Sequence, residues 1–234
     1  MRRFHCPDLP AAGTVRLDGD EARHLIKVLR ARPGDAVELF DGEGVSVAAT
    51  VRTVDRQSVE LELGQRVESP RPILDITLVC AIPRGKRMEW LIEKVTEAGV
   101  SRILPLVTER GVRDEAGVAV RRRWERAALE ACKQCGQARV PRIESPRSVG
   151  EAIAATNTLP RLLAAPGAQD DLLSALKSAE PVGQVAVFVG PEGGFSLDEQ
   201  DALTAAGCRP FHLGALILRI ETAAVLAVHR IAWR

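Results

Sequence analysis

The chain has 234 residues, 46% of them hydrophobic and 27% charged, a composition that can bury the core of one large domain or of two smaller ones. Its formal net charge is only +1, so the total charge does not indicate a nucleic-acid-binding protein. A membrane span needs about 18 consecutive apolar residues, and no apolar run in the sequence is that long. Aromatic residues make up 3% and tyrosine is absent, which excludes an aromatic surface for stacking single-stranded bases.

The cysteines and the first residues predict a cytoplasmic protein. Five cysteines, an odd number, are scattered along the chain, as expected for reduced thiols. Cys132 and Cys135 form a CxxC pair, but no second pair or histidine lies at metal spacing. Buried thiols are therefore favoured over a zinc or redox site, and we expect no metal. The first residues include Arg2 and Arg3 but no apolar segment, so we expect no signal peptide.

Residues 1–70 have the pattern of a small β-domain. Apolar and polar residues alternate over 36–40, 45–54 and 59–67. The sequences between these runs, Asp-Gly-Glu-Gly and Asp-Arg-Gln-Ser, favour hairpin turns. Several short strands of this kind predict a small barrel.

A short helix and a concentration of basic side chains precede these strands. The helix is predicted over 21–29, with Asp20 as its N-cap and Leu25 on its buried face. Basic residues crowd the first thirty positions and recur at 83–87 and 121–123. Such local clusters in a near-neutral chain suit a surface that docks phosphates, although solvated faces would give the same pattern.

After residue 70 the pattern changes to apolar runs that alternate with helical segments. Residues 69–72 form a linker, because their two prolines cannot serve a sheet interior. Strands that are apolar on successive residues belong to a parallel sheet covered on both faces, so residues 71–234 are predicted to form an α/β domain. The predicted strands of this domain are 73–82, 103–107, 162–165, 185–189 and 211–213.

Recognisable termini delimit the helices of this second half. Helices predicted over 86–98 and 121–135 each end at a glycine. Capping boxes predict two further helix starts, at Ser148 and Ser196. The last helix, 222–231, is apolar nearly all round, which predicts burial in the core or against a second subunit.

Two glycine-containing bends follow strands of this domain. Residues 190–194, Gly-Pro-Glu-Gly-Gly, lie between a strand and a helix, where open α/β sheets bind ligands. Their spacing matches neither the dinucleotide fingerprint nor the Walker loop, which leaves a tight turn or a ligand held by backbone groups. The second bend, 212–215, leads through an apolar segment to Arg219 and Glu221. That segment suits the edge of a purine, and the two charged residues could equally form a structural ion pair.

Four segments in register resemble one known family. They are residues 85–100 (GKRMEWLIEKVTEAGV), 123–143 (RWERAALEACKQCGQARVPRI), 188–199 (FVGPEGGFSLDE) and 213–223 (LGALILRIETA). They are similar to the sequence blocks of the RsmE-like family, the 16S ribosomal RNA uridine N3-methyltransferases of the SPOUT superfamily, and the resemblance covers essentially the whole chain. It implies a PUA-like β-barrel at 1–70 that binds RNA, and an α/β methyltransferase domain at 71–234 with a deep trefoil knot. It further implies S-adenosylmethionine as cofactor, the 16S rRNA of the 30S subunit as partner, a homodimer and no membrane.

The resemblance also implies the residues of the site. The cofactor pocket would be formed by Leu163, Ala164, Val189, Gly190, Glu192, Gly193, Leu213, Gly214, Ile217, Leu218 and Thr222. N3 of uracil must lose its proton before it accepts a methyl group. We predict that Arg219 stabilises the uracilate charge and that Glu221 orients Arg219 or acts as the general base. The basic residues predicted to contact RNA are Arg2, Arg3, Arg23, His24, Lys27, Arg30, Arg84, Lys86 and Arg87.

Four positions depart from the usual pattern of the family. Gln137 and Leu216 stand where arginine is usual, Ala215 stands where proline is usual, and Ile220 stands where threonine is usual. Two other interpretations compete with this function. One is a knotted methyltransferase that acts on another rRNA or tRNA nucleotide, and the other is a non-catalytic RNA-binding assembly factor. The modified nucleoside would separate the first from the main interpretation, and binding of S-adenosylmethionine would separate the second.

Overall fold

The chain is divided into two compact units. The computed structural model describes residues 1–111 and 117–233. The first unit consists of residues 1–70 and 129–140, and the second of residues 71–128 and 141–234. Within the described stretches, no helix is long and apolar enough to cross a bilayer.

The first unit is built on a five-stranded sheet. Its strands are β1 (Arg3–His5), β2 (Thr14–Leu17), β3 (Ala36–Phe40), β4 (Val45–Val54) and β5 (Val59–Glu68). Their order is β1-β3-β4-β5-β2, with β1 parallel to β3 and the other pairs antiparallel. The three predicted strands are confirmed. β1 and β2 are additional, and strands of three and four residues are too short to show a clear alternation.

One hydrophobic core lies against this sheet. All five strands contribute to it, including Phe4 from β1, Leu17 from β2 and Leu61 from β5. The β4–β5 pair carries two register shifts, and irregularities of this kind bend a sheet. Because every strand reaches the same core, the sheet must curve around it.

The helical segment between β2 and β3 is less regular than predicted. Helix α1 covers Gly19–Arg23, and the chain continues as a π-helical turn over His24–Val28, so the prediction of one regular helix is wrong. Asp18, not Asp20, occupies the N-cap position, and its side chain accepts no capping hydrogen bond. Single π-helical turns are rare and occur frequently at functional sites.

Residues 129–140 complete the first unit. The guanidinium of Arg3 donates a hydrogen bond to the carbonyl oxygen of Cys132 in this segment, at 2.7 Å. The guanidinium of Arg139 lies over Gly44, where a Cβ would collide with it. The close contact between the segment and this turn therefore depends on glycine.

The second unit is built on a parallel sheet. Its strands are β6 (Asp75–Ala81), β7 (Arg102–Val107), β8 (Arg142–Ile143), β9 (Arg147–Ser148), β10 (Arg161–Ala164), β11 (Gln184–Val189) and β12 (Arg209–Phe211). The order is β12-β10-β11-β6-β7-β8, β9 also pairs with β7, and every pair is parallel. Four of the five predicted strands and the mostly parallel α/β architecture are confirmed. The strand predicted over 211–213 lies instead at Arg209–Phe211 and shares only Phe211 with the prediction, and the two-residue strands β8 and β9 are additional.

Six helices of the described residues flank this sheet or extend from it. They are α2 (Arg87–Glu97), α3 (Val118–Cys135), α4 (Val149–Ala155), α5 (Leu172–Ala179), α6 (Leu197–Ala205) and α7 (Ile220–Ala232). Both predicted capping boxes are present, at Ser148 and at Ser196. Helix α5 was not predicted from the sequence, and Asp171 caps it by accepting a hydrogen bond from the amide of Ser174.

The last helix is buried in the second unit, as its apolar composition predicted. Helix α7 packs against α2, β6 and β11. Trp233, which follows it, donates from its indole nitrogen to the carbonyl oxygen of Ala98 at 3.0 Å, satisfying an acceptor at the end of α2. This bond holds the end of α7 against the end of α2.

Candidate functional site

The candidate site lies where the carboxyl ends of the parallel strands meet, which we call the carboxyl edge of the sheet. Because all pairs are parallel, the segments that follow β6, β7, β10, β11 and β12 emerge at the same edge. Both glycine-containing bends are among these segments. The predicted cofactor residues are accordingly collected along this one edge, although they are far apart in sequence.

The glycines of the first bend do not all serve the same purpose. A Cβ at Gly190 would lie 2.6 Å from the ring carbon Cε2 of Phe195, a buried core residue, so packing requires glycine there. Gly194 has φ +69°, a left-handed conformation that favours glycine, and its amide donates to the carbonyl oxygen of Pro191 at 2.9 Å. A Cβ at Gly193 would make only ordinary contact, 3.5 Å from the Cβ of Arg110. Gly193 is thus the glycine of this bend that neither packing nor backbone conformation explains.

The segment after β7 holds the first bend from one side. The guanidinium of Arg110 donates to the carbonyl oxygens of Gly193 at 3.3 Å and Phe195 at 3.4 Å. The amide of Glu109 donates to Oε1 of Glu199 at 2.9 Å, near the start of α6. No sequence pattern points to Arg110, because nothing in the neighbouring sequence relates it to residues more than eighty positions away.

Arg87 holds the same bend from the other side and connects it to α7. Its Nη1 lies 3.2 Å from Oε1 of Glu192 and 3.4 Å from Oε1 of Glu221, and its Nε donates to the carbonyl oxygen of Arg84 at 3.1 Å. The predicted alternative of an ion pair between Arg219 and Glu221 is wrong, since Arg87 is the partner of Glu221. The contact of Arg87 with RNA stays a prediction, and in this structure its guanidinium joins two carboxylates.

Glu221 is the most unusual side chain of the site. It is 7% exposed, and its Oε2 is buried without a hydrogen-bond partner among the residues that the structure describes. Buried polar atoms are nearly always paired, so an unpartnered carboxylate oxygen indicates a place where a donor binds. Glu221 lies in the first turn of α7, where the helix dipole stabilises a negative charge. Arg219 occupies the N-cap position of the same helix and is exposed, without a side-chain capping bond.

The second bend presents aliphatic side chains to solvent. Leu216 and Ile217 are 80% and 85% exposed, whereas Leu213 and Leu218 are half-buried. Gly214 has φ +126°, and its amide donates to Nδ1 of His212 at 3.1 Å, which fixes the turn. Exposed aliphatic residues on a loop beside a buried carboxylate are typical of a ligand or subunit contact.

The remaining predicted cofactor residues lie along the same edge. Leu163 and Ala164 end β10 and are half-buried, and Val189 ends β11 and is buried. Glu192 and Thr222 are exposed. The sequence therefore located the edge correctly, while the contact of each residue with a cofactor stays a prediction.

The basic residues of the first unit fall into two groups. Five of those predicted to contact RNA are exposed: Arg2, Arg23, His24, Lys27 and Arg30. Several belong to α1 or the π-helical turn, and Arg30 has φ +53°, a conformation that is rare for residues other than glycine. Arg3 differs, since its side chain is 6% exposed and pairs with Glu38 at 3.0 Å. Its hydrogen bonds, including one to the carbonyl oxygen of Gln137, give it a structural role.

In the second unit, Arg84 and Lys86 are exposed beside the start of α2. A cavity of about 870 Å³ also opens in this unit, but it lies elsewhere, lined by residues that include Thr108, Arg147 and Glu199. None of the predicted cofactor residues lines it. Two of the four carboxylates around it already accept hydrogen bonds from backbone amides, Glu151 from Ser148 at 2.8 Å and Glu199 from Ser196 at 2.9 Å, and we assign the cavity no ligand.

The two cysteines of the CxxC pair differ in their exposure. No cluster of potential metal ligands occurs among residues 1–111 and 117–233. Cys132 is buried, and burial raises the pKa of its thiol to about 12. Cys135 is exposed, so the prediction that both thiols of the CxxC pair are buried is wrong for this residue. The two cysteines are three residues apart on α3.

Comparisons with known proteins agree with the architecture. The sequence model of a family described as RNA methyltransferase domain matches residues 69–232, and that of RNA methyltransferase PUA domain matches residues 17–64. The chain is 33% identical to the ribosomal RNA small subunit methyltransferase E of Mycobacterium tuberculosis, over 96% of this chain and 88% of the relative. It is 31% identical to the enzyme of the same name from Synechocystis, over 96% of this chain and 75% of the relative.

Solved structures are similar over nearly the whole chain. The crystal structure of a ribosomal RNA small subunit methyltransferase E from Neisseria gonorrhoeae, bound to S-adenosylmethionine, has a TM-score of 0.88 at 31% identity and covers 98% of this chain and 96% of its own. A methyltransferase from Legionella pneumophila, in complex with the same cofactor, has a TM-score of 0.84 at 29% identity with the same coverage.

Proposed function

The chain belongs to the RNA methyltransferase family that includes the ribosomal RNA small subunit methyltransferases E, and we propose that it methylates N3 of a uridine in 16S ribosomal RNA. It is an S-adenosylmethionine-dependent methyltransferase of the small-subunit RNA. The observation that carries the proposed chemistry is the buried carboxylate of Glu221, whose Oε2 lies at the edge with both bends and has no hydrogen-bond partner within residues 1–111 and 117–233.

The residues at this edge fit S-adenosylmethionine. When bound, the cofactor supplies an electrophilic methyl group on a sulfonium. The exposed carboxylate of Glu192 suits a positively charged ligand, and the aliphatic side chain of Ile217 suits the face of an adenine. Gly193 has no side chain that would obstruct a ligand. The residues that we propose for the pocket are Leu163, Ala164, Val189, Gly190, Glu192, Gly193, Leu213, Gly214, Ile217, Leu218 and Thr222.

Glu221 and Arg219 have different proposed roles in the reaction of the uracil. The imide N3–H bond must break before the nitrogen can attack the methyl carbon, and Oε2 of Glu221 is an available acceptor for that proton. The negative charge then spreads onto the two carbonyl oxygens of the ring. Arg219, exposed at the start of α7, can donate hydrogen bonds to them and stabilise this charge. Holding two reactants in line contributes up to roughly 7–11 kcal/mol.

We propose that residues 71–234 form the deep trefoil knot of the SPOUT methyltransferases. Strand β12 lies at the outer edge of the sheet, beside β10. Helix α7, which follows it, packs against β6 and β11 nearer the middle. The chain must therefore return from the edge to the centre through the second bend, as a knotted connection requires.

We also propose a homodimer in the cytoplasm. Helices α2 and α7 pack together and leave three large apolar side chains exposed: Trp90 at 47%, Leu226 at 40% and Trp233 at 46%. Apolar side chains on adjacent helices suit contact with a second copy of the chain. Light scattering on the purified protein tests this proposal, and a monomer at micromolar concentration would contradict it.

The first unit is the proposed RNA-binding domain. Arg2, Arg23, His24, Lys27 and Arg30 are exposed there, and Arg84 and Lys86 are exposed in the second unit. Contacts between these side chains and phosphates would offset the few kcal/mol needed to flip the target base. Each charge-removing substitution should flatten the salt dependence of RNA binding by about one unit.

The central experiment measures methylation of 30S particles and of naked 16S rRNA from cells that lack the enzyme. Glu221→Gln and Arg219→Ala should each lower kcat by at least about 10²-fold while S-adenosylmethionine still binds in calorimetry. Arg209→Ala, which removes an exposed arginine from the same unit, is the matched control. Nucleoside mass spectrometry identifies the product. A different modified nucleoside would overturn the N3 assignment, and a wild-type protein that does not bind the cofactor would indicate an assembly factor.

A further inference from the structure

Arg87 connects three segments of the second unit that are distant in sequence. Its guanidinium contacts the carbonyl oxygen of Arg84, the carboxylate of Glu192 and the carboxylate of Glu221. We propose that Arg87 is a positioning residue, which holds the first bend and the start of α7 in one fixed arrangement. The proposal rests on the proposed function, because it assigns Arg87 a task in the same site.

Arg87 is well placed to hold other residues. It is the first residue of α2, a helix fixed to the core by the buried side chains of Met88, Leu91 and Ile92. Its Nε bond to Arg84 orients the guanidinium, so the Nη1 atom reaches both carboxylates from a rigid base. A planar guanidinium can serve two acceptors at once, which a lysine ammonium does with less defined geometry.

The pair with Glu221 determines where the free carboxylate oxygen points. Oε1 of Glu221 is 3.4 Å from Arg87, and Oε2 is the atom without a partner. If the charge of Arg87 is removed, a carboxylate that is 9% exposed loses its counter-ion and must turn toward solvent or toward another donor. The acceptor that the substrate requires would then no longer be held in one direction.

The pair with Glu192 determines the position of the first bend. Glu192 is half exposed, and its carboxylate lies 3.2 Å from Arg87. Without this pair the side-chain bonds on the bend that remain include those of Arg110, at 3.3 and 3.4 Å, and these are long for hydrogen bonds. The amides of residues 190–196 should then exchange faster with solvent.

Arg84 and Lys86 allow this role to be distinguished from RNA binding. Both are exposed neighbours of Arg87 in sequence, and neither forms an ion pair among the described residues. If Arg87 contacted RNA, its substitution would change the salt dependence of RNA binding, as substitution of Arg84 or Lys86 should. A positioning residue would instead affect the free protein, before any RNA is added.

The experiment compares Arg87→Met, Arg87→Lys, Glu192→Gln and the double variant Arg87→Met/Glu192→Gln. Hydrogen exchange of the full-length protein without ligands is expected to rise at residues 190–196 and 219–223 in Arg87→Met, and to be partly restored in Arg87→Lys. The kcat of Arg87→Met should fall by about 10²-fold, as misplacement of reacting groups causes, with the KM for RNA little changed. Because Glu192→Gln removes part of the same contact, its effect should not add to that of Arg87→Met.

Arg84→Met and Arg123→Met are the matched controls, since each removes an exposed arginine of the same unit. Neither should change exchange in the two segments. The proposal is overturned if Arg87→Met leaves exchange unchanged, if its effect adds fully to that of Glu192→Gln, or if it alters only the salt dependence of RNA binding, as expected for Arg84→Met. Failure of the proposed function is separate, because the wild-type protein would then lack methylation while the exchange pattern persisted.

Discussion

Replacement of Gly190 by alanine should destabilise the protein through one identifiable contact. The new Cβ would lie 2.6 Å from Cε2 of Phe195, 3.0 Å from Cδ2 and 3.1 Å from Cζ. The ring cannot move aside easily, because Phe195 is 6% exposed and packs in a core cluster with Phe188 and Leu203. Overpacking of this kind costs about 1–3 kcal/mol, so we expect a loss of about 2 kcal/mol in the free energy of unfolding. For a chain of this size that corresponds to a fall of roughly 4–8 °C in Tm.

Thermal unfolding followed by circular dichroism measures this effect. The double variant Gly190→Ala/Phe195→Leu should lose less stability than the two single variants together, since the smaller side chain relieves the collision. Gly193→Ala is the control, because its Cβ would meet only the Cβ of Arg110, at 3.5 Å. It should unfold within about 0.5–1 kcal/mol of the wild type and instead lower the affinity for S-adenosylmethionine at least about tenfold. A Gly190→Ala protein as stable as wild type, or a Gly193→Ala protein that is equally destabilised, would refute this reasoning.

Three further predictions concern the rest of the chain. Arg30 has φ +53°, so Arg30→Gly should be about 1 kcal/mol more stable than Arg30→Ala in urea unfolding, and equal stability would contradict backbone strain there. In the native protein only Cys135 should react quickly with a thiol reagent, because it is the exposed cysteine. Burial raises the pKa of the other four thiols, to about 12 for Cys80. Quick reaction of a second thiol would be inconsistent with this burial. The hydrogen bond from the Ser174 amide lowers the pKa of Asp171 below its usual 3.8, so its charge stabilises the fold above that pH and the effect is lost as pH falls through the lowered pKa. The stability difference between wild type and Asp171→Asn should therefore shrink between about pH 6 and about pH 3, and a constant difference would show that the charge is unimportant.

The sequence predicted the elements that have strong local patterns. Capping boxes at Ser148 and Ser196 located two helices correctly, because a cap depends on residues three positions apart. Apolar runs located β6, β7, β10 and β11, since a strand buried on both faces needs apolar residues in succession. The run predicted at 211–213 was displaced, because β12 is formed by Arg209–Phe211 and its first two residues are exposed. The short strands β8 and β9, the π-helical turn and helix α5 were missed. Their patterns are too short or too irregular to distinguish from loops.

The candidate site was predicted only in part. The position of the two bends at a strand end follows from local glycine and strand patterns, and the resemblance supplied the residues around them. The contacts of Arg87 with Glu192 and Glu221 join residues more than one hundred positions apart. The role of Arg110 was missed for the same reason. The division of the chain into an RNA-binding domain at 1–70 and a methyltransferase domain at 71–234 stays a prediction.

The sequence by itself determined the two kinds of sheet, because alternation and continuous apolar runs are properties of neighbouring residues. It also determined membership of the methyltransferase family, since four motifs occur in the right order. Only the tertiary structure decided which charges meet, since Arg87 pairs with Glu221 and Arg3 pairs with Glu38. It also decided that Gly190 leaves space for the ring of Phe195. The physical reason is that ion pairs and packing depend on distances in space, and the parallel sheet brings together segments that sequence spacing does not relate.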